Sequence, residues 1–334
     1  PEQLKYIFDS GDDKFTDITI TAVRPQGSTI VVRISVTRDR TAAMRRPDGS
    51  PIVSHLAVNA ALTYVREGSE WKLLREGTPV DALADAVIAA PDAATRERLL
   101  SEEPDLVGPL LVSAISRQAA TAAQKGIYAR AQALYERALD LATRIGDKKL
   151  QADTLQNIGN ALYYQRNFAA AKPIYEQFVA IERELGNDEG IATALVGLGT
   201  AQYSQFEYTN ALVTFHEALA IQERLRDNVA IATTLINTGN IQYVEGDFSG
   251  AIVDYRRSRS LYHAVPDPRG EVRALDGLGR AFAAQGDLAA ALDAFNGVLE
   301  EGRSRNDPGL QGGALLSLGD VHVRLGNVDI ARGL

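Results

Sequence analysis

The side chains that could carry chemistry are few. Four histidines, His55, His216, His263 and His322, are scattered along the chain, and none has a second His at metal-ligand spacing. Ser69-Glu70-Trp71-Lys72 has the Ser-x-x-Lys order of an activated serine. It opens a β-patterned stretch rather than a helix and lacks the companion motifs such chemistry requires. Gly197-Leu198-Gly199 and Gly277-Leu278-Gly279 are two-thirds of a phosphate-cradling loop. Neither follows a strand, and the third glycine is missing. The paired carboxylates Glu102-Glu103 and Glu300-Glu301 are adjacent on helices, so they point apart into solvent. There is no cysteine, hence no thiolate nucleophile, thiolate metal site or disulfide. These residues form no catalytic constellation, and no cofactor is implied.

The polar residues with meaningful spacing are of another kind. Asn157 and Asn160 lie three apart, and Asn237 and Asn240 repeat them eighty residues on. Tyr163, Tyr203 and Tyr243 form a column at intervals of forty, with Thr200 in the Asn160 position between them. Arg273 and Arg280 are two helical turns apart further along, with Asp276 between them as a competing partner. An amide both donates and accepts, which matches a peptide unit whatever its side chain, and arginine suits a carboxylate. Binding rather than catalysis is the chemistry these residues offer. The alternative reading is that the asparagines bond neighbouring helices. Arg256, Arg257 and Arg259 are expected on an outer, solvated face.

The elements that position them come from an internal repeat. Gly159, Gly199, Gly239, Gly279 and Gly319 recur at a spacing of forty, as do Ala131, Ala171, Ala211, Ala251, Ala291 and Ala331. An aromatic column runs Tyr135, Tyr175, Phe215, Tyr255, Phe295, and a further apolar one Tyr128, Phe168, Tyr208, Phe248, Leu288, Val328. Within a unit, Leu155, Ile158 and Leu162 share one helical face, and Phe168, Ala171, Tyr175 and Phe178 another. Polar turns such as Gln165-Arg166-Asn167, Glu245-Gly246-Asp247 and Gln285-Gly286-Asp287 separate the two faces. Each unit is a hairpin of helix A and helix B, and Asp147, Asn187, Asp227, Asp267 and Asp307 are expected to cap the next helix A. Glycine costs a helix about 1 kcal/mol relative to alanine. The column is therefore expected to admit close approach of the paired helix backbones, with alanine doing the same for helix B. The aromatics fill the space between hairpins, and stability is shared between neighbours.

These columns resemble the tetratricopeptide repeat, best in Thr154-Leu155-Gln156-Asn157-Ile158-Gly159-Asn160 and Thr234-Leu235-Ile236-Asn237-Thr238-Gly239-Asn240. The period of forty is similar to the long variety of kinesin light chains and Pins-type scaffolds. The resemblance covers residues 112–334 as about six units, with Ala119 in the glycine position of the first and the last incomplete. It implies a mainly α superhelix of hairpins whose concave groove is lined by the A helices. It further implies that Asn157, Asn160, Tyr163, Thr200, Tyr203, Asn237, Asn240, Tyr243, Arg273 and Arg280 face a peptide or protein ligand there.

Residues 1–77 read differently. Ile18, Ile20 and Ala22 alternate, Pro25-Gln26-Gly27-Ser28 turns, and residues 29–38 are β-branched, giving one hairpin. Leu56, Val58, Ala60, Leu62 and Tyr64 alternate before Glu67-Gly68 and Trp71-Lys72-Leu73-Leu74, giving a second. Thr78-Pro79 starts a helix with proline at its first position, and residues 78–111 form a helical linker. The hairpins resemble part of a nuclear-transport-factor-2-like cone, without the helices that begin that fold. A pocket there, for an enzyme or small-ligand binder, is the rival to the groove. Ala93-Ala94-Thr95-Arg96-Glu97-Arg98-Leu99-Leu100 is similar to the linker of bacterial repeat proteins that continue into a CHAT peptidase, and no part of a peptidase lies in this chain.

Apolar residues make up 45% and charged ones 23%, a globular balance. A net charge of -8 argues against a nucleic-acid partner, which needs a basic footprint. No apolar run reaches the ~18 residues of a membrane span. Pro1-Glu2-Gln3-Leu4-Lys5 has neither an initiator Met nor a signal peptide, so the chain reads as a piece of a longer protein. The last unit breaks off after Val328 and Ala331, so continuation beyond Leu334 and self-association at that end are expected. The groove could equally hold a C-terminal effector of the same protein.

Overall fold

A computed structural model describes residues 13–26, 29–45, 51–67, 70–264 and 268–333. Gly27, Ser28, Gly68, Ser69 and Asp267 lie outside the described residues, as do the side chains of His55, Trp71 and Lys72, so the turn, cap and Ser-x-x-Lys expectations resting on them are not followed further. The chain divides into two compact units, Pro1–Thr154 and Leu155–Leu334.

In the first unit, β1 (Asp13–Gln26), β2 (Thr29–Arg45), β3 (Pro51–Glu67) and β4 (Glu70–Gly77) form one antiparallel sheet in the order β1-β2-β3-β4. The two expected hairpins are thus joined, because β2 and β3 pair from Thr29 opposite Val65 to Arg45 opposite Pro51. Helix α1 (Pro79–Ala89) starts as its sequence dictates: the Thr78 hydroxyl accepts from the Asp81 N–H at 3.1 Å, and the Asp81 carboxylate accepts from the Thr78 N–H. Ala82 of α1 packs on Val31 and Ala61 of the sheet. Helix α2 (Ala93–Glu102) is capped by Asp92. The first helical hairpin follows as α3 (Pro109–Gln124) and α4 (Tyr128–Arg144). Arg137 donates to the Ile88 carbonyl at 2.6 Å, and Arg144 makes a two-pronged pair with Glu97 at 2.7 and 2.8 Å. Residues 78–111 are therefore pinned to that hairpin. Glu103 corrects the expectation of solvated paired carboxylates: it bonds Arg33 of β2, and both side chains are largely covered. A buried guanidinium needs such a partner.

Helix α5 (Lys148–Tyr164) runs from the first unit into the second. The rest is a tandem of α6 (Phe168–Leu185), α7 (Asp188–Ser204), α8 (Tyr208–Leu225), α9 (Asn228–Glu245), α10 (Phe248–His263), α11 (Pro268–Gln285), α12 (Leu288–Ser304), α13 (Pro308–Arg324) and the short α14 (Val328–Gly333). Odd-numbered members from α5 onward are A helices and even-numbered ones B helices, which makes this a mainly α solenoid of helical hairpins. Ala171, Ala211, Ala251 and Ala291 are fully buried where helix B meets its neighbours. Asp147, Asp227 and Asp307 cap the following A helices through bonds to Leu150, Ala230 and Leu310. Asn187 departs from this pattern, because its amide donates to the buried Glu182 at 2.8 Å and makes no cap bond. The A–B turns hold one residue left-handed: Gly126, Arg166, Phe206, Gly246, Gly286 and Gly326 in register. No described helix is long and apolar enough to cross a membrane.

The glycine column needs a correction. A Cβ on Gly159, Gly199, Gly239 or Gly279 would meet the ring of Tyr175, Phe215, Tyr255 or Phe295, at 2.6–2.9 Å, and not the partner backbone. Each glycine is a seat for the aromatic sixteen residues later. Tyr175 and Tyr255 are held from the other side as well, because a Cβ on Gly197 or Gly277 would lie 2.5 or 2.7 Å from their rings. The Gly-Leu-Gly pairs are thus half of two aromatic clamps, which explains them without any phosphate.

Candidate functional site

In the second unit, neighbouring A helices approach one another (α7 with α9, α9 with α11) more closely than neighbouring B helices do. Strips of side chains on the A helices therefore converge on one side of this unit. The sequence-selected residues stand on these A helices in unequal states.

Asn160 and Asn240 are partly committed to the fold. The Tyr175 hydroxyl donates to Asn160 Oδ1 at 2.8 Å, and that of Tyr255 to Asn240 Oδ1 at 2.7 Å. Burial pushes both phenols well above their ordinary range, Tyr255 to about 12. A neutral phenol buried on a glycine seat must donate its hydrogen somewhere, and the asparagine carbonyl takes it. What this leaves at Asn160 and Asn240 is the amide N–H2, with two donors facing outward. Asn157 engages within the fold. Asn237 is half-buried and has no hydrogen-bond partner among the described residues. Thr200 turns inward, donating to the Val196 carbonyl at 2.7 Å, so it offers a ligand only acceptor capacity.

The tyrosines form an aromatic edge. Tyr163 packs on Phe168 with centroids 5.3 Å apart, Tyr203 on Tyr208 at 5.7 Å, and Tyr243 on Phe248 at 5.7 Å. All three stay half-buried. The phenol of Tyr203 is raised, first by burial, then by Tyr208, and it is opposed by Arg280, which places Arg280 in the same neighbourhood. Exposed Tyr164 and Phe206 extend this edge, and their positions at the turn gave no sequence signal of binding.

Arg280 lies over the Tyr243 ring at 5.4 Å and pairs with Asp276 at 3.0 Å. Arg273 is exposed and makes no ion pair among the described residues. Asn240, Arg273, Asp276 and Arg280 line one cavity of about 320 Å³, whose far wall is Leu310, Gly313 and Ala314 of α13. The strip thus runs from aromatic edge and outward amides to a hollow with one free and one shared guanidinium. Among the described residues, no cluster of three or more His, Asp or Glu is arranged to hold a metal ion. His216 is exposed, His263 lies 3.2 Å from Glu271, and His322 is partly covered, with Nδ1 buried and unpartnered.

Residues 111–184 match the family model described as Tetratricopeptide repeat. Among curated proteins there is no match. Of solved structures, the chain is similar to BtubC (BKLC) from P. vanneervenii, with 22% identity, 68% of this chain and 91% of that one covered, and a TM-score of 0.56. It is similar to a Signal Transduction ATPase with Numerous Domains protein with a tetratricopeptide repeat sensor from Pyrococcus horikoshii, with 14% identity and a TM-score of 0.61. There 76% of this chain is covered but only 41% of the other. It is also similar to a Rap protein complexed with Competence and Sporulation Factor, with 14% identity, 71% and 76% covered, and a TM-score of 0.53. These likenesses are of fold. They define a tetratricopeptide-type α-solenoid preceded by a small α+β region.

Proposed function

We propose that this chain is a protein-interaction scaffold that holds an extended segment of another polypeptide along its A helices. The observation that carries the reading is the half-buried amide of Asn237, left without a partner one turn before the outward amide of Asn240. A peptide backbone supplies both the donor and the acceptor with which this amide can pair. Arg273, unpaired in the hollow that follows, would take a carboxylate at one end of the segment. The Rap protein, whose structure contains a bound factor, lends support by shared fold.

The rival reading is a pocket among the hairpins of residues 1–77, and the cavity described in the first unit lies beside them, between α1 and α3. It holds about 240 Å³ and is lined by Asp81, Asp85 and Arg117, yet Asp81 caps α1 and pairs with Arg117, and Asp85 accepts from Gln118. The two carboxylates that line it are tied into structure.

Capture of partners from the source organism by the intact chain, followed by peptide mapping, tests the reading. The double change Asn237→Ala with Asn240→Ala should weaken the captured complex at least about tenfold, from a loss of about 1–3 kcal/mol at each site. Undiminished binding by a folded double variant excludes the groove. Competition by a segment of the same gene product would instead identify an intramolecular occupant, including the CHAT-type effector that the linker resemblance raises.

A further inference from the structure

A further cavity lies away from the A-helix strip. About 750 Å³ opens among α10, α11 and α12 on the B-helix side, and the repeat register shows why. One unit earlier the same seam is closed by Leu219, Ile231 and Leu235, each at most 8% exposed. Forty residues on, Leu275 is kept, but Arg259 stands for Leu219 and Glu271 for Ile231. Gly297 in turn stands where the preceding units carry Arg257, Glu217, Gln177 and Arg137. Two apolar plugs have become charged, and one wall has lost its longest side chain. Arg256 and Arg259 are exposed on a B helix, as the sequence led one to expect, and they also border this opening.

The charges around the opening do not all cancel internally. Glu271 receives Arg259 at 3.4 Å on one oxygen and lies 3.2 Å from His263 Nδ1 on the other. Arg256 has no anionic partner among the described residues, and its guanidinium rests 5.3 Å above the Phe282 ring. Asp293, on α12, has no cationic one. Among the described residues, one unpaired cation on α10, one unpaired anion on α12, and a floor of Leu275, Leu278 and Phe282 remain.

From this geometry we infer that the cavity binds a short apolar peptide with both ends free, two or three residues long. Its carboxylate sits on Arg256, its ammonium on Asp293, and its side chains on the Leu275–Leu278–Phe282 floor. The volume falls within the range of small-ligand pockets, where a few placed polar groups on an apolar lining set orientation. A purely anionic ligand would meet the like charge of Asp293, and a purely apolar one would engage neither Arg256 nor Asp293. The inference is independent of the A-helix groove, which uses none of these residues.

Calorimetric titration of the intact chain with dileucine, trileucine and leucyl-phenylalanine tests it, each probe in free, N-acetylated and C-amidated form. Saturable binding of a free form is expected, with about a tenfold loss on blocking either end. Asp293→Asn should erase the penalty for acetylation alone, and Arg256→Gln that for amidation alone. Both positions are exposed, so these variants fold. Gly297→Arg restores the side chain present one unit earlier and should abolish binding, with circular dichroism reporting its fold. No saturable binding of any probe, or equal affinity for blocked and free forms, overturns the proposal. So does binding that survives Gly297→Arg in a folded protein but is lost in Asn237→Ala with Asn240→Ala.

Discussion

Tyr255 donates its hydroxyl hydrogen to Oδ1 of Asn240 at 2.7 Å, across the two helices of a single hairpin, from a ring that is fully buried between Gly239 and Gly277. Eighty residues earlier Tyr175 stands in the same relation to Asn160, Gly159 and Gly197. The intervening member of the column is Phe215, with Thr200 at the asparagine position. Structure and binding surface therefore share a residue: one end of each asparagine holds the fold, and the other faces out.

The glycine seats predict an inverted substitution pattern. Alanine for glycine inside a helix gains about 1 kcal/mol where space is free. At Gly312, in α13 with nothing within 4 Å of an added Cβ, Gly312→Ala should stabilise by about that amount. At Gly239 the added Cβ lies 2.9 Å from the Tyr255 ring, so Gly239→Ala should instead cost about 1–3 kcal/mol. Urea unfolding of the two variants decides it, and a stabilised Gly239→Ala would remove the seat.

Alkaline pH should loosen the solenoid at these clamps. The Tyr255 phenol is held neutral by burial, up to about 12, whereas in the unfolded chain it ionises near its ordinary value of 10.0. Its contribution is complete below about pH 10 and is lost as the pH rises toward 12, because only the unfolded state gives up the proton between these values. Tyr255→Phe should cost about 0.5–1.5 kcal/mol at neutral pH through the lost bond, and should flatten the alkaline fall in stability. Parallel unfolding curves at neutral and alkaline pH measure both effects.

The inter-unit turns offer a stabilising change. Arg226 caps α8 at φ 57°, where Gly146 and Gly186 serve earlier units at 72° and 65°. A residue with a Cβ pays a steric penalty there that glycine escapes, partly offset by glycine's greater chain entropy. Arg226→Gly should raise stability by about 0.5–1 kcal/mol, read as a higher Tm. An unchanged or lowered Tm would show that this turn carries no strain.

Salt should separate the two halves of the proposed groove. Arg273 makes no ion pair among the described residues, whereas Arg280 is shared between Asp276 and the Tyr243 face. Arg273→Ala alone should therefore remove most of the salt dependence of partner binding, and the asparagine changes little of it, since screening acts on charges. Affinity measured across a range of ionic strength for each variant checks this.

The hairpin architecture was legible in the sequence because its determinants are local and periodic: Ala171, Ala211, Ala251 and Ala291 recur in phase, and each is buried. The site was legible only as a strip. The donor state of Asn160 and Asn240 depends on a hydroxyl fifteen residues away on another helix, visible beforehand only as Tyr in place of Phe at positions 175 and 255 of one column. The opening beside Gly297 was missed for the opposite reason. It arises where residues break the repeat, and a reading that searches for matches passes over departures such as Arg259 and Glu271.

The alternation of the clamps sets how this solenoid can be cut and rejoined. Tyr175 is seated against Gly197 of the following A helix, and position 237 in the same register is Asn. Excising one hairpin, residues 188–227, would set Tyr175 against Asn237. Excising two, residues 188–267, would set it against Gly277, which already accommodates a tyrosine. From Tyr175 to Phe295 the matching building block is a pair of hairpins, so excision of eighty residues there should be tolerated better than excision of forty; Tyr135, with Asn157 in this register, stands outside that alternation.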